Sequence, residues 1–280
     1  MSDFISFARA MGIMIDSPPP IGYWRRYPTE DHPRKRNGAV KFMGDHAFIQ
    51  NWATDQEVVV WKADENAQID MNRLRRDAAA AEKKRRIQQE AASKKAGWIM
   101  HQCQQARHEY LKSKGFVEDL GNVWVSEGKQ ILVVPMRVAG RIVGCQLIQE
   151  DGEKKFLFGQ RTSDAEYVID NKGPHILVEG YATALSVQLA LKSLKRRYTL
   201  HICFSAGNLV KVAKRVPTGF VIADNDASGT GEKAAKDTGW PYFMPPTVGH
   251  DFNDMHLSLG LFKASQALNK ALVTAGIPAR

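Results

Sequence analysis

Cysteine is scarce in this sequence. Cys103, Cys145 and Cys203 stand far apart and are odd in number, which excludes a disulfide framework. No pair has the CxxC spacing of a zinc half-site, so a zinc ribbon is excluded and idle thiols are expected. Long apolar runs are missing too. None approaches the ~20 residues that a membrane-spanning helix needs. The stretch Met1–Ile15 lacks the basic start and apolar core of a signal peptide, so the expected location is the cytoplasm. No GxxxxGKS or GxxxxGKT phosphate loop and no internal repeat occurs. Acidic residues are in deficit, 30 against 39 Lys and Arg, for a net charge of +9 and a pI of about 9.4. That imbalance points to a polyanionic partner. Nucleic acid ranks ahead of a membrane surface, because no strongly apolar helix face accompanies the charge.

What is present suits a soluble globular protein: 280 residues, 44% hydrophobic and 25% charged, enough for one large domain or two modest ones. Residues 1–63 are rich in turns, cations and rings. Pro18-Pro19-Pro20 breaks an opening helix, and Asn37-Gly38 is a turn signal. The stretch Gln56–Lys62 reads as a strand. Arg25, Arg26, Arg34, Lys35, Arg36 and Lys41 interleave with Tyr23, Trp24, Tyr27 and Phe42. Cations neutralise phosphates and rings stack on unpaired bases, so Trp24 and the six cations are candidate nucleic-acid contacts. Residues 64–97 read as a basic connecting helix with a thin apolar stripe. Residues 98–171 begin with a helix running from Trp98 to a stop at Lys114-Gly115. A β-meander follows, with strands at Asn122–Val125, Gln130–Arg137, Arg141–Gln149 and Lys155–Phe158 and turns at Ala139-Gly140 and Asp151-Gly152.

From residue 172 to 280 the period changes. Strands at His175–Val178, Thr199–Phe204, Phe220–Ala223 and Pro241–Met244 alternate with helices at Ala182–Lys195, Asn208–Arg215 and Gly231–Thr238. A last helix, Leu261–Ala275, closes the chain. This alternation predicts an α/β fold with a Rossmann-like parallel sheet, whose ligands bind beyond the carboxyl ends of the strands. Glu179 falls at one such end and Asp224 and Asp226 at another. Two residues apart in extended chain, Asp224 and Asp226 point to one side. Three carboxylates gathered there repel one another without a cation. Oxygen donors with no His or Cys cluster suit Mg²⁺ or Mn²⁺. Asp251 and Asp254 follow the next strand and can complete the site. The small-residue loop around Ser228 and Gly229 opens a helix, where backbone amides can cradle a phosphate. Lys154, Lys155 and Arg161 are candidate partners for nucleotide or template.

Glu179-Gly180-Tyr181 after a strand, Asp224-Asn225-Asp226 followed by Gly229, and Asp251-Phe252-Asn253-Asp254 together resemble the TOPRIM domain. Bacterial-type primases, type IA and II topoisomerases and some nucleases share that domain. The primases of phages and plasmids are the nearest resemblance. It rests on Val178-Glu179-Gly180-Tyr181-Ala182-Thr183-Ala184, Ala206-Gly207-Asn208-Leu209 and an upstream His108-Glu109-Tyr110-Leu111-Lys112. It covers roughly residues 98–275. The resemblance implies template-directed primer synthesis on single-stranded DNA from NTPs, in a phage-infected or plasmid-bearing host. Glu179 would be the acid–base or metal-organising glutamate. Asp224 and Asp226 would be metal ligands, with Asp251 or Asp254 in support. Thr183 stands where replicative primases often have an aspartate, and the usual zinc module is absent. Without a phosphate loop, any helicase is a separate chain. A TOPRIM nuclease and an inactive nucleic-acid-binding module are the alternatives. A type IA topoisomerase would need a large clamp with a nucleophilic tyrosine.

Overall fold

A computed structural model of the chain describes residues 3–52, 54, 57–63 and 71–278, without the side chains of residues 71–75, 77 and 78. The chain divides into two compact units, Met1–Ala80 and Ala81–Arg280. Among the described residues no helix is long and apolar enough to cross a membrane.

In the first unit a short helix, α1 (Phe4–Ala10), is capped by Asp3, whose carboxylate accepts from the Ser6 amide at 2.8 Å. Four antiparallel strands follow in order: β1 (Trp24–Tyr27), β2 (Gly38–Phe42), β3 (His46–Asn51) and β4 (Val59–Lys62). Only β4 falls within a strand expected from the sequence, and Gln56 lies outside the described residues. Val40, Ala47 and Ile49 turn to one face of the sheet and pack on Phe4, Ala8, Ile13 and Ile15. Tyr27, Phe42 and Trp61 are partly buried against the same core. Tyr27 and Phe42 therefore pack inward and do not serve as stacking rings. Asn37-Gly38 is not a hairpin tip either. The β1–β2 connection spans residues 28–37, and Gly38 already pairs with Tyr27. A Cβ on Gly38 would lie 3.0 Å from Ile13 Cγ2, so close packing requires the glycine there.

The boundary between the units falls inside α2 (Met71–Gln102). This helix is exposed over residues 79–87, then buries Ala92, Ala96 and Ile99 on one stripe. Ala96 and Ile99 pack on the antiparallel sheet β5 (Gln104–Ala106), β6 (Gly121–Ser126), β7 (Lys129–Val138), β8 (Arg141–Ile148) and β9 (Lys154–Phe156). The helix expected from Trp98 to Gly115 is thus two elements. The first is the end of α2, and the second is α3 (Glu109–Ser113), with β5 between them. Gln104–Ala106 pairs with Gly121–Val123, and those ladder bonds outweigh local helix propensity. Ala139 and Gly140 both have positive φ at the expected β7–β8 turn.

The second sheet of this unit runs in the order β10 (Tyr167–Asp170), β12 (Thr199–Ile202), β11 (His175–Val178), β13 (Gly219–Ile222) and β14 (Tyr242–Phe243). It is parallel except for β10, an antiparallel edge strand not expected from the sequence. Helices α4 (Tyr181–Ser193), α7 (Phe252–Leu259) and α8 (Leu261–Thr274) cover one face, where Ile176, Val178, Phe220 and Ile222 point. Helix α5 (Ala206–Ala213) and α6 (Thr230–Asp237) cover the other, where Leu177 and Val221 point. Burial on both faces explains the continuous apolar strands. From β11 the chain crosses to β12 by α4, then returns past β11 to β13 by α5. The crossovers diverge between β11 and β13, and a crevice opens at that switch point.

Candidate functional site

Glu179 directly follows β11, and Asp224 lies two residues beyond β13. Because Val178 pairs with Ile222, the two carboxylates emerge side by side at the switch point. They line a cavity of about 530 Å³ with Ser205, Ala206, Gly207, Asp226, Ser228 and Thr230. Phe204, just before the α5 cap Ser205, holds a left-handed φ of 66°, a strained conformation for a bulky residue at the rim of the site.

The two aspartates of the Asp-Asn-Asp segment have opposite environments. Asp226 accepts from the amides of Ser228 (2.9 Å), Thr230 (3.2 Å) and Gly231 (2.8 Å), and from the Ser228 hydroxyl. Those bonds pull its pKa down to about 2. Asp224 is half-buried, and its enclosed Oδ1 has no hydrogen-bond partner among the described residues. Desolvation, then the charges of Asp251 and Glu179, push its pKa up to about 7, against the opposing pull of Lys154. Glu179 is also raised, by desolvation first and Asp226 second, with Lys154 again opposing. Asn225 turns away from the acids. Its side chain donates to the Pro245 carbonyl (2.8 Å) and its amide to the His250 carbonyl (3.0 Å), tying down the segment that delivers Asp251.

Asp251 caps α7 in a reciprocal box: its Oδ1 accepts from the Asp254 amide, and Asp254 Oδ2 accepts from the Asp251 amide. Asp254 thereby fixes Asp251, the strongest charge acting on Asp224. Asn253 is fully buried and donates to the Lys114 carbonyl (2.9 Å) and to Ser186 Oγ (3.0 Å), locking α7 to α3 and α4.

Of the expected cations, Lys154 reaches the acids. Desolvation of its ammonium and the neighbouring Lys114 lower its pKa, while Asp251, Asp224 and Glu179 oppose them. Alternation along β9 sends Lys155 elsewhere, to an ion pair with Glu153 at 2.7 Å. Arg161 pairs with Asp164 at 2.7 Å and lines a different cavity with Arg86 and Arg141. The loop around Ser228 and Gly229, expected to cradle a phosphate, has its amides turned to Asp226. The amides of Ser228, Thr230 and Gly231 are engaged by the Asp226 carboxylate and that of Gly229 by the Asp226 carbonyl. Thr183 is buried in α4. His108 caps α3, as its Nδ1 accepts from the Tyr110 amide.

The donor set tests what cation would fit. A buried, unpartnered carboxylate oxygen among further carboxylates suits a hard divalent ion. Among the described residues, no three His, Cys, Asp or Glu side chains are arranged to enclose an ion by themselves. An ion here would complete its shell with water or substrate oxygens, as Mg²⁺ commonly does.

No protein-family model and no curated protein matches this sequence. Among solved structures it is similar to a chain in the complex of bacteriophage T7 lagging-strand DNA polymerase interacting with primase domains of two gp4 subunits bound to an RNA/DNA hybrid and dTTP. That match has 20% identity and a TM-score of 0.41 over 61% of this chain and 88% of that one. It is also similar to a DNA primase domain from Pseudomonas aeruginosa, at 17% identity and a TM-score of 0.35, over 55% of this chain and 56% of that one. With TM-scores below 0.5, neither neighbour bears on the chemistry of the acidic cavity.

In the Met1–Ala80 unit, Trp24, Arg25 and Arg26 lie exposed on β1, Arg34, Lys35 and Arg36 lie exposed on the β1–β2 connection, and Lys41 lies half-exposed on β2. Trp52, which sequence reasoning passed over, has the Arg26 guanidinium 3.3 Å above its ring. The positioning roles of Asn225 and Asn253 were also unread. The only signal for them was their place between acids that must be held.

Proposed function

We propose that this chain is a DNA primase of the TOPRIM type found in phages and plasmids, making short primers from NTPs on single-stranded DNA. The observation that carries the reading is the unpartnered oxygen of Asp224, set among Glu179, Asp226 and Asp251 and faced by Lys154 at the switch point of a parallel sheet. The sequence resemblance supplies the reaction. Mg²⁺ or Mn²⁺ would be held by Asp224 and Glu179, with Asp226, Asp251 and Asp254 in support. When bound, it would stabilise the triphosphate charge and lower the pKa of the attacking 3′-hydroxyl.

The chain's own groups do the rest. Lys154 places a cation where the triphosphate charge collects. Glu179, half-buried and raised in pKa, would take the hydroxyl proton. Asp226 fixes the loop that leads into α6, and Asn225 and Asn253 hold Asp251 and α7 in place. The test is primer synthesis on single-stranded DNA with labelled nucleotides and Mg²⁺ or Mn²⁺. Labelled products of a few nucleotides support the reading. Cleavage of the DNA without labelled product would instead assign a nuclease.

A further inference from the structure

The sheet of the Met1–Ala80 unit has one face packed on α1 and one that is open among the described residues of the unit. Two cross-strand rows define the open face. One runs Trp24, Lys41, Phe48, Val60, and the other runs Arg26, Ala39, Gln50. Trp24 is 50% exposed, Val60 41%, and Trp52, next to the second row, 49%. The small Ala39 leaves a hollow of about 240 Å³ between Trp24, Arg26, Gln50 and Trp52. The stacked Arg26 guanidinium holds the Trp52 ring in place. None of the residues in these rows is acidic. The exposed cations Arg34, Lys35 and Arg36 lead into Asn37, whose carbonyl accepts from the Trp52 amide at 3.1 Å.

Rings left half in water are costly unless something covers them. Flat aromatic faces next to a guanidinium and an ammonium match unpaired bases on a phosphate strand. A duplex offers no free base face to such a surface. We infer that this open face is a stacking platform for single-stranded DNA, with Trp24 and Trp52 each taking a base and Arg26 and Lys41 the adjoining phosphates. The choice of DNA over RNA rests on the primase reading, whereas the platform itself does not.

The experiment uses the full chain and four fluorescent probes: a fifteen-nucleotide oligothymidylate, its ribo counterpart, a duplex of that length, and a strand of the same length without bases. Trp24→Ala and Trp52→Ala should each weaken oligothymidylate binding by about ten-fold. Binding of the abasic strand and of the duplex should not change. Trp24→Phe should restore most of the loss. Arg26→Gln and Lys41→Gln should each lower the slope of log K against log salt by about 0.7. Both tryptophans are half-exposed, so unchanged melting of the variants is expected, and Trp24→Phe serves if an alanine variant unfolds. Unaltered oligothymidylate binding, or equal losses on the abasic strand, overturns the platform. Tighter binding of the ribo strand overturns the choice of DNA. Tryptophan-dependent binding in a chain that makes no primers supports the platform and overturns only the primase reading.

Discussion

Replacing Asp224 with Asn should abolish primer synthesis and at the same time stabilise the metal-free protein. The half-buried carboxylate has its pKa pushed up to about 7 in the folded chain, against an ordinary value of 3.8. At 1.36 kcal/mol for each unit of pKa, the ionised folded state is disfavoured by roughly 4 kcal/mol. Solvent reaching the cavity screens part of that, leaving about 2 kcal/mol. The sign follows from which state ionises first. Below pH 3.8 both states are protonated and Asp224 costs nothing. As pH rises, the unfolded chain ionises first, so stability falls until pH passes about 7 and then levels off. Asn cannot ionise, so Asp224→Asn escapes that loss. At 2–4 °C per kcal/mol for a unit of this size, its melting temperature in EDTA at pH 8 should exceed wild type by about 4–8 °C. The gap should close by pH 4. Calorimetry at both pH values measures it, and added Mg²⁺ should raise the wild type but not the variant. A variant no more stable than wild type in EDTA at pH 8 would refute the claim that these carboxylates crowd one another.

Three further outcomes follow from the same geometry. Glu179→Gln should lower the maximal rate of primer synthesis by about 10² or more, with DNA affinity kept; a change in nucleotide affinity alone would make Glu179 a binding residue. Lys154→Met removes the cation that holds down Asp224 and Glu179, so the acidic limb of the pH–rate profile should move to higher pH, whereas Lys155→Met, whose partner is Glu153, should leave it in place. Gly231→Ala would put a Cβ 2.2 Å from the Asp224 carbonyl oxygen and should cost about 1–3 kcal/mol as well as activity, while Gly207→Ala, with nothing within 4 Å, should melt at or slightly above wild type.

The parallel sheet was legible because its strands are buried on both faces. Runs such as Ile176–Val178 and Phe220–Ala223 can be little else when turns and helices flank them. What escaped was half-exposed or held by distant partners. In β10, Val168 and Asp170 face solvent, and the strand is held in place by its ladder with β12, which local pattern cannot reveal. Helix α7 was hidden inside an acidic motif, though Asp251 and Asp254 at a spacing of three are themselves a helix-start signal. No glycine or proline marks the break after α2, because the pairing of β5 with β6 makes it. The carboxylates at the strand ends were readable from the order of elements. Their different environments were not. That Asp226 uses up the loop amides, and that Lys154 alone of the three expected cations meets the acids, depends on where side chains point once the chain has folded.

The Asp-Asn-Asp segment accordingly divides its work among three residues. Asp226 is saturated by the backbone of the loop into α6, stays ionised down to about pH 2, and anchors that turn. Asn225 faces the other way and fastens the stretch from Pro245 to His250, which sets Asp251 beside the site. Asp224 is held between two fixed neighbours, and its Oδ1 is given no donor among the described residues. A carboxylate kept rigid and unsatisfied cannot relax to relieve its charge, so a hard cation beside it would relieve that cost. Moving its neighbours' hydrogen bonds onto Asp224 would make the fold more stable and remove that unsatisfied charge. That trade-off is why two aspartates only two residues apart have pKa values near 2 and near 7.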